Sequence, residues 1–296
     1  MSRTFPKISI VTPNYNYGHF LEQTIQSVLN QNYPNLEYVI IDGGSKDNSI
    51  EVIKKYEHKL AYWVSEPDGG MYDAINKGFS HCTGDLMAWI NSDDMYLPWT
   101  FDVVADIFSS LPQVQWISSL QPGIVDYKSC SRWFGKIEGF SKQAFKEGRY
   151  AGKNHSSEFI QQESTFWKKS LWQLAGATMS TLYTQAGDFE LWNRFYNYSE
   201  LYGVANPLSL FRINFQQKTF NFEQYLKECS SILNTNNSSP SFKGKLRSVL
   251  YKTRLSQLQG LRFIEKKALS YHYQNIVRVN KGNDSAVWDI ETIKHF

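Results

Sequence analysis

The chain has 296 residues, 42% of them hydrophobic and 20% charged, with 31 Lys and Arg against 28 Asp and Glu for a formal charge of +3. That composition excludes an intrinsically disordered chain, and so mild a charge requires no nucleic-acid partner. No run of 18 or more apolar residues offers a membrane span, and Cys82, Cys130 and Cys229 lie far apart without the spacing of a zinc site. With no apolar leader in MSRTFPKISIV, a cytoplasmic protein is expected.

The first ninety residues alternate short apolar runs with amphipathic stretches, as βαβ units around a mainly parallel sheet do. KISIV (7–11), LEYVII (36–41) and LMAWI (86–90) read as strands. Between the first two, Phe20, Leu21, Ile25, Val28 and Leu29 share one face at helical spacing. Ser45 or Asp47 is suited to cap a second helix that turns Ile50, Ile53 and Tyr56 inward. A third helix is expected from about Tyr72 to His81, with Tyr72, Ile75 and Phe79 on one side. From about Thr100 to Asn221 the pattern is less regular and rich in aromatics. TNNSSPS (235–241) has linker composition. Between Ser241 and Lys281 ten Lys or Arg face a single acid, Glu265. There Leu246, Val249, Leu250, Leu258, Leu261 and Ile264 interleave with the basic residues as amphipathic helices would.

Each of the three strands is followed at once by polar, turn-forming residues: TPNYN (12–16), DGGSKD (42–47) and NSDD (91–94). In a doubly wound sheet these segments meet at one edge, where ligands bind. Asp42, followed by two glycines, suits hydrogen bonds from a base or ribose, or else an Asx-turn that closes the strand. Asp93 and Asp94 set two like charges beside a buried strand, which a cation or polar ligand would compensate. Mg²⁺ or Mn²⁺ takes one or two carboxylates plus phosphate oxygens; a helix N-cap is the structural alternative. In EPDGGMYDAINKG (66–78), Asp73 opens a helix behind a glycine loop that could close over a ligand, or simply favours the helix dipole. GDFELWNRF (187–195) reads as a helix start whose buried side is Leu191, Trp192 and Phe195. Asp188 then lies in the first turn, as a helix cap or as a general base.

VTPNYNYGHFLEQTIQSVLNQNYPNLEYVIIDGGSKDNS, EPDGGMYDAINKGF and WINSDD, in that order and spacing, resemble a family 2 glycosyltransferase over about residues 7–220. The resemblance implies an α/β GT-A fold, a Rossmann-like mainly parallel sheet flanked by helices. It divides the chain into a nucleotide-sugar-binding half (1–100), an acceptor-binding half of the same catalytic domain (101–221) and a basic helical extension (222–296). It also implies an inverting, non-processive transfer of the bacterial surface-polysaccharide type, with Mg²⁺ or Mn²⁺ holding the diphosphate. Pro13, Tyr15, Asp42, Asp73 and Asp93 would line the nucleotide site, Asp93 and Asp94 the ribose and metal site, and Asp188 would be the base. QQESTFWKKSLW (161–172) would bring Gln162, Glu163 and Trp167 to the acceptor. Two positions depart from the family pattern: Asn91 stands where the first acid of DxD is common, and Gly187 where an acid often precedes the base. The processive members' QxxRW motif is absent.

The partners so implied are a nucleotide-sugar donor and a carbohydrate or lipid-linked saccharide acceptor. The basic tail suits an anionic membrane surface, placing the enzyme peripherally on its inner face, or packing on the catalytic body or on a second subunit as in a homodimer. Two competing readings are a nucleotidyltransferase or dehydrogenase and a non-catalytic nucleotide-sugar-binding scaffold. Against a dehydrogenase, no GxGxxG follows the first strand.

Overall fold

Strand β1 (Ile8–Asn14) is buried along its whole length, as a strand covered by helices on both faces must be. After it, α1 (Gly18–Leu29), β2 (Leu36–Asp42), α2 (Ser49–Tyr56), β3 (Tyr62–Ser65), α3 (Met71–Ser80) and β4 (Leu86–Trp89) alternate. The computed structural model describes residues 5–151, 158–214, 222–235, 270–280 and 286–295. Helix α1 buries Phe20, Leu21, Thr24, Ile25 and Val28. Helix α3 buries Tyr72, Ala74, Ile75 and Phe79. At Gly78 a Cβ would stand 2.4 Å from Val11 Cγ1, so α3 lies closer to β1 than any side chain would permit.

These four strands are parallel and stand in the order β4-β1-β2-β3. The chain winds outward from β1 to β3, then α3 returns it to β4 on the other side of β1. The strand order therefore reverses between β1 and β4, where ligands bind in such sheets. Strand β3, beyond the three strands expected from the sequence, is a four-residue edge strand with every side chain half-buried.

The second half contributes β5 (Met95–Tyr96), α4 (Thr100–Ser110), β6 (Trp116–Ser119), β7 (Gly123–Val125), β8 (Ser131–Phe134), α5 (Lys142–Lys146), β9 (Phe166–Lys168), α6 (Lys169–Leu174), α7 (Gly187–Phe195), β10 (Tyr202–Val204) and β11 (Ser209–Arg212). Helix α8 (Phe222–Thr235) and strands β12 (Tyr271–Asn280) and β13 (Ala286–His295) follow. The main sheet has nine strands in the order β13-β12-β10-β6-β9-β4-β1-β2-β3, and β5-β11-β7-β8 form a second, four-stranded sheet. Strand β9 runs antiparallel to both β4 and β6, stitching the second half onto the first. Trp89, Trp116, Trp167 and Trp192 are each at most 1% exposed and meet across that seam, with ring centroids 5.5–5.9 Å apart. Both halves thus share one core.

The expectation of a helical 222–296 segment needs correction. Helix α8 is present, but Tyr271–Asn280 and Ala286–His295 are strands that pair antiparallel, and the first of them also pairs in parallel with β10. YHYQNIVRV alternates at its start, burying Tyr271 and Tyr273 around an exposed His272, a strand period that the basic residues mask. The rest of the linker-like segment from residue 236 and the amphipathic stretch 246–264 lie outside the described residues. Among the described residues no helix is long and apolar enough to cross a membrane.

Candidate active site

The carboxyl ends of β1 and β2 are tied together by Asp42. Its Oδ1 accepts from Asn14 Nδ2 (2.6 Å) and Ser45 Oγ (2.5 Å), and its Oδ2 from Gly44 N (3.2 Å), Ser45 N (2.9 Å) and Ser65 Oγ (2.6 Å). Five donors occupy a carboxylate with about four lone-pair directions, and the residue is 0% exposed. Asp42, expected to face a base, instead fastens three strand ends from within. Gly44, at φ +81°, makes the tight turn that brings its own N–H back to this carboxylate. Tyr15 is 60% exposed at the same edge, while Pro13 is buried in β1. Beside them, a Cβ on Gly43 would meet Asp68 Oδ2 at 2.7 Å and Tyr15 Cδ2 at 3.3 Å. The glycine thus keeps these two side chains together. Asp73 accepts from Gly69 N (2.9 Å) and lies 3.7 Å from Lys77 Nζ, so it shapes the glycine loop.

Asp93 and Asp94 differ sharply. Asp94 is fully buried; its Oδ1 accepts from Arg212 N (2.8 Å) and its Oδ2 from Asn91 Nδ2 (3.3 Å). Burial pushes its pKa well above the carboxylate range, helped by repulsion from Asp93 and Glu163. Glu163, in the turn before β9, is raised to about 7 by burial, with Asp93 and Asp188 adding repulsion, and it hydrogen-bonds Asp94. Two buried carboxyls in contact hold a proton between them. Asp94, expected as a metal ligand, is held within its loop by Asn91 and the Arg212 N–H. Asp93 accepts on Oδ2 from Asn214 Nδ2 (2.8 Å), and its carbonyl accepts from Arg212 Nε (2.7 Å). Tyr17, at the start of α1, is raised to about 12 by burial and by Asp93, and hydrogen-bonds Asn214.

Among the described residues no three His, Cys, Asp or Glu converge on a point, so an ion held by protein alone does not fit. Mg²⁺ or Mn²⁺ shared with a diphosphate needs one or two carboxylates, and Asp93 is a carboxylate that could serve. The buried Oδ1 atoms of Asn14 and Asn91 have no hydrogen-bond partner among the described residues. They stand at the ends of the two strands that flank the reversal, as acceptors awaiting a donor.

Asp188 opens α7 and accepts from Phe189 N (2.7 Å). Burial pushes its pKa up to about 6, and Glu228 pushes it further in the same direction. A carboxylate so tuned is ionised near neutrality yet basic enough to take a proton. Glu163 feels both Asp93 and Asp188 and so links the two acidic positions. Gln162 donates to Trp89 O (2.8 Å) from the same turn. Trp167, expected at the acceptor, is 0% exposed inside the aromatic core and serves packing. Sequence reasoning missed Tyr17, Arg212, Asn214 and Glu228. Arg212 is fully buried, donates to Gln23 Oε1 (2.6 Å) and Ser129 Oγ (2.9 Å), and lies 4.6 Å from the centre of the Phe20 ring.

The family described as Glycosyl transferase family 2 matches residues 9–174. An uncharacterised glycosyltransferase of Mycobacterium tuberculosis strain H37Rv is 41% identical over 92 residues, 31% of this chain and 35% of that protein. The chain therefore aligns with about a third of that relative's length. A second, from Rickettsia typhi, is 27% identical over 77% of this chain and 70% of its own. Among solved structures, residues 1–349 of TarS from S. aureus in complex with UDP-GlcNAc superimpose with a TM-score of 0.59 at 14% identity, over 87% of this chain and 75% of that one. A mannosyltransferase from Pyrobaculum calidifontis in complex with GDP-Man and Mn²⁺ gives 0.53 at 14% identity, over 88% and 83%. At such identities the likeness establishes the GT-A fold.

Proposed function

Since the chain belongs to glycosyl transferase family 2, we propose that it moves one sugar from a nucleotide-sugar donor to a hydroxyl acceptor with inversion at the anomeric carbon. The observation that carries this reading is Asp188, a carboxylate raised to about 6 at the first turn of α7 and electrostatically linked through Glu163 to Asp93. The acceptor hydroxyl gives its proton to Asp188 while its oxygen bonds to the anomeric carbon. The bond from that carbon to the diphosphate oxygen breaks, and the nucleoside diphosphate leaves. When bound, Mg²⁺ or Mn²⁺ neutralises the charge growing on the departing diphosphate, and Asp93, steadied by Asn214, is the residue that would hold it.

The base and ribose would rest against Pro13, Tyr15 and Asn14 Oδ1, which has no partner among the described residues, with Asp42 keeping that edge in shape. Asp73 and its glycine loop flank the donor, while Gln162 and Glu163 border the acceptor. UDP-linked and GDP-linked sugars are the donor classes to try, because the two structural neighbours bind UDP-GlcNAc and GDP-Man. A saccharide of a surface polysaccharide, O-antigen or glycolipid is the proposed acceptor. The basic residues beyond Ser241 would favour a lipid-linked one at an anionic, inner membrane face.

A thermal-shift screen of UDP-GlcNAc, GDP-mannose and other nucleotide sugars, with and without Mn²⁺, tests donor use, since a ligand of the folded state raises the melting temperature. A metal-dependent rise is expected for at least one donor, and its absence across the panel rejects the reading. The anomeric configuration of the product, read by NMR, tests inversion; retention refutes it.

A further inference from the structure

Helix α7 starts without a side-chain cap of its own, because its N-cap residue is Ala186. The first N–H groups of a helix have no partner within it, and here another element supplies one. Glu228, on α8, accepts from Thr184 N (3.2 Å) and Thr184 Oγ1 (3.0 Å) on Oε1, and from Gln185 N (2.9 Å) and Ala186 N (2.9 Å) on Oε2. Gln224, one turn earlier on α8, donates to Oε1 at 3.0 Å. The next N–H along, that of Gly187, donates to Tyr72 Oη (2.9 Å), which in turn donates to Gln185 O (3.1 Å). The chain is thus gripped at every residue from 184 to 187, immediately before Asp188.

We propose that Glu228 is a positioning residue for the reaction: by holding residues 184–186 from a neighbouring helix, it presents the Asp188 carboxylate to the acceptor in one orientation. The proposal rests on Asp188 being the base. It also gives α8, which follows the segment matched by the family, a part in catalysis. Burial works against ionisation of Glu228, but its hydrogen-bond donors outweigh that and hold its pKa below the ordinary value. The retained charge acts on Asp188 and raises its pKa. The other groups facing Asp188 are Tyr72 from α3, Tyr225 from α8 and Glu163 from the turn before β9. On its own helix, Glu190 is paired with Arg194 at 2.8 Å.

The test compares Glu228→Gln, which removes the charge and one accepting oxygen, with Glu228→Asp, which keeps the charge but withdraws it by one methylene. Turnover is followed as nucleoside diphosphate released from UDP-GlcNAc or GDP-mannose with Mn²⁺, whichever raises the melting temperature. Both variants should lose roughly ten- to a hundredfold in kcat, the scale of a misplaced catalytic group, with donor KM within about twofold. Only Glu228→Gln should move the acid limb of the kcat profile to lower pH, and amide exchange at residues 184–187 should quicken in both. A Glu228→Gln enzyme with unchanged kcat and acid limb overturns the proposal, even if it melts earlier. If Glu228→Gln does not fold, unchanged kcat in Glu228→Asp does the same. Full transfer by Asp188→Asn would instead reject the base itself, a result separable from either outcome at Glu228.

Discussion

Replacing Asp188 by asparagine should abolish transfer and stabilise the fold, and the two effects have one origin. Burial holds the Asp188 pKa at about 6 against an ordinary 3.8. A group whose folded pKa lies above its unfolded one stabilises fully below the unfolded value, and that contribution is lost as pH rises through the folded value. At neutral pH the ionised carboxylate is therefore a burden on the native state. The difference of 6 − 3.8, about 2.2 units, corresponds to roughly 3 kcal/mol at about 1.36 kcal/mol per unit. Asp188 is only partly buried by solvent exposure, so water screening reduces this to about 1–3 kcal/mol. Asparagine keeps the shape without the charge. At pH 7.5 the variant should melt roughly 2–12 °C above the parent, at about 2–4 °C per kcal/mol, and the gap should close by about pH 4. Transfer should fall by roughly 10²–10⁴. In the parent, kcat should drop about tenfold for each pH unit below 6, as a base requires. Differential scanning fluorimetry from pH 4 to pH 8, beside nucleoside diphosphate release, reads both. A variant that melts at or below the parent at every pH refutes the buried-charge argument, and one that still transfers refutes the base.

Further outcomes follow from neighbouring contacts. Gly187→Ala would set a Cβ 2.5 Å from Tyr72 Cζ, whose hydroxyl is already bonded on both sides. A loss of about 1–3 kcal/mol in chemical denaturation is expected, with turnover falling further than stability. Asn214→Ala removes the Nδ2 hydrogen bond to Asp93 Oδ2 and should raise the Mn²⁺ concentration for half-maximal activity about 10–100-fold, as loss of a ligand's supporting hydrogen bond does; an unchanged Mn²⁺ titration removes Asp93 from the metal site. Glu37 lies in β2, where burial opposes its ionisation, but Lys7, Ser9 and Thr83 outweigh it and bring the pKa to about 2. Its stabilisation is therefore present above about pH 4.5 and lost as pH falls toward 2. Glu37→Gln should melt several degrees lower at pH 7 and equal the parent near pH 2; a gap that persists in acid contradicts this.

The first half was legible because each strand there is covered on both faces and ends abruptly in polar residues, so apolar runs and turn residues mark the same boundaries. Strand β3 escaped because four half-buried residues at an edge carry little pattern. The second half is built from strands of two to four residues paired across long separations, and β6 meets β9 only after a detour of some fifty residues between Trp116 and Trp167. Asp42 shows a different limit. A carboxylate at a strand end looks the same in sequence whether it faces a ligand or is consumed by Asn14, Ser45 and Ser65. Trp167 was ambiguous in the same way, since a flat ring serves a sugar or a core equally. Glu228 and Arg212 left no local signal, because the segments they hold, residues 184–186 and the Asp93–Asp94 loop, stand more than forty residues away.

The pairing of β12 with β10 bears on how the protein is made. Val204 ends β10 and Tyr271 begins β12, so 271 − 204 − 1 = 66 residues separate them. At about 5–20 residues per second, the ribosome needs roughly 3–13 s to cross that interval. Throughout it, β10 can already be bonded to β6 while its other side presents bare peptide groups, an edge open to pairing with a second nascent chain. A chaperone has those seconds to shield it before β12 arrives and closes the row.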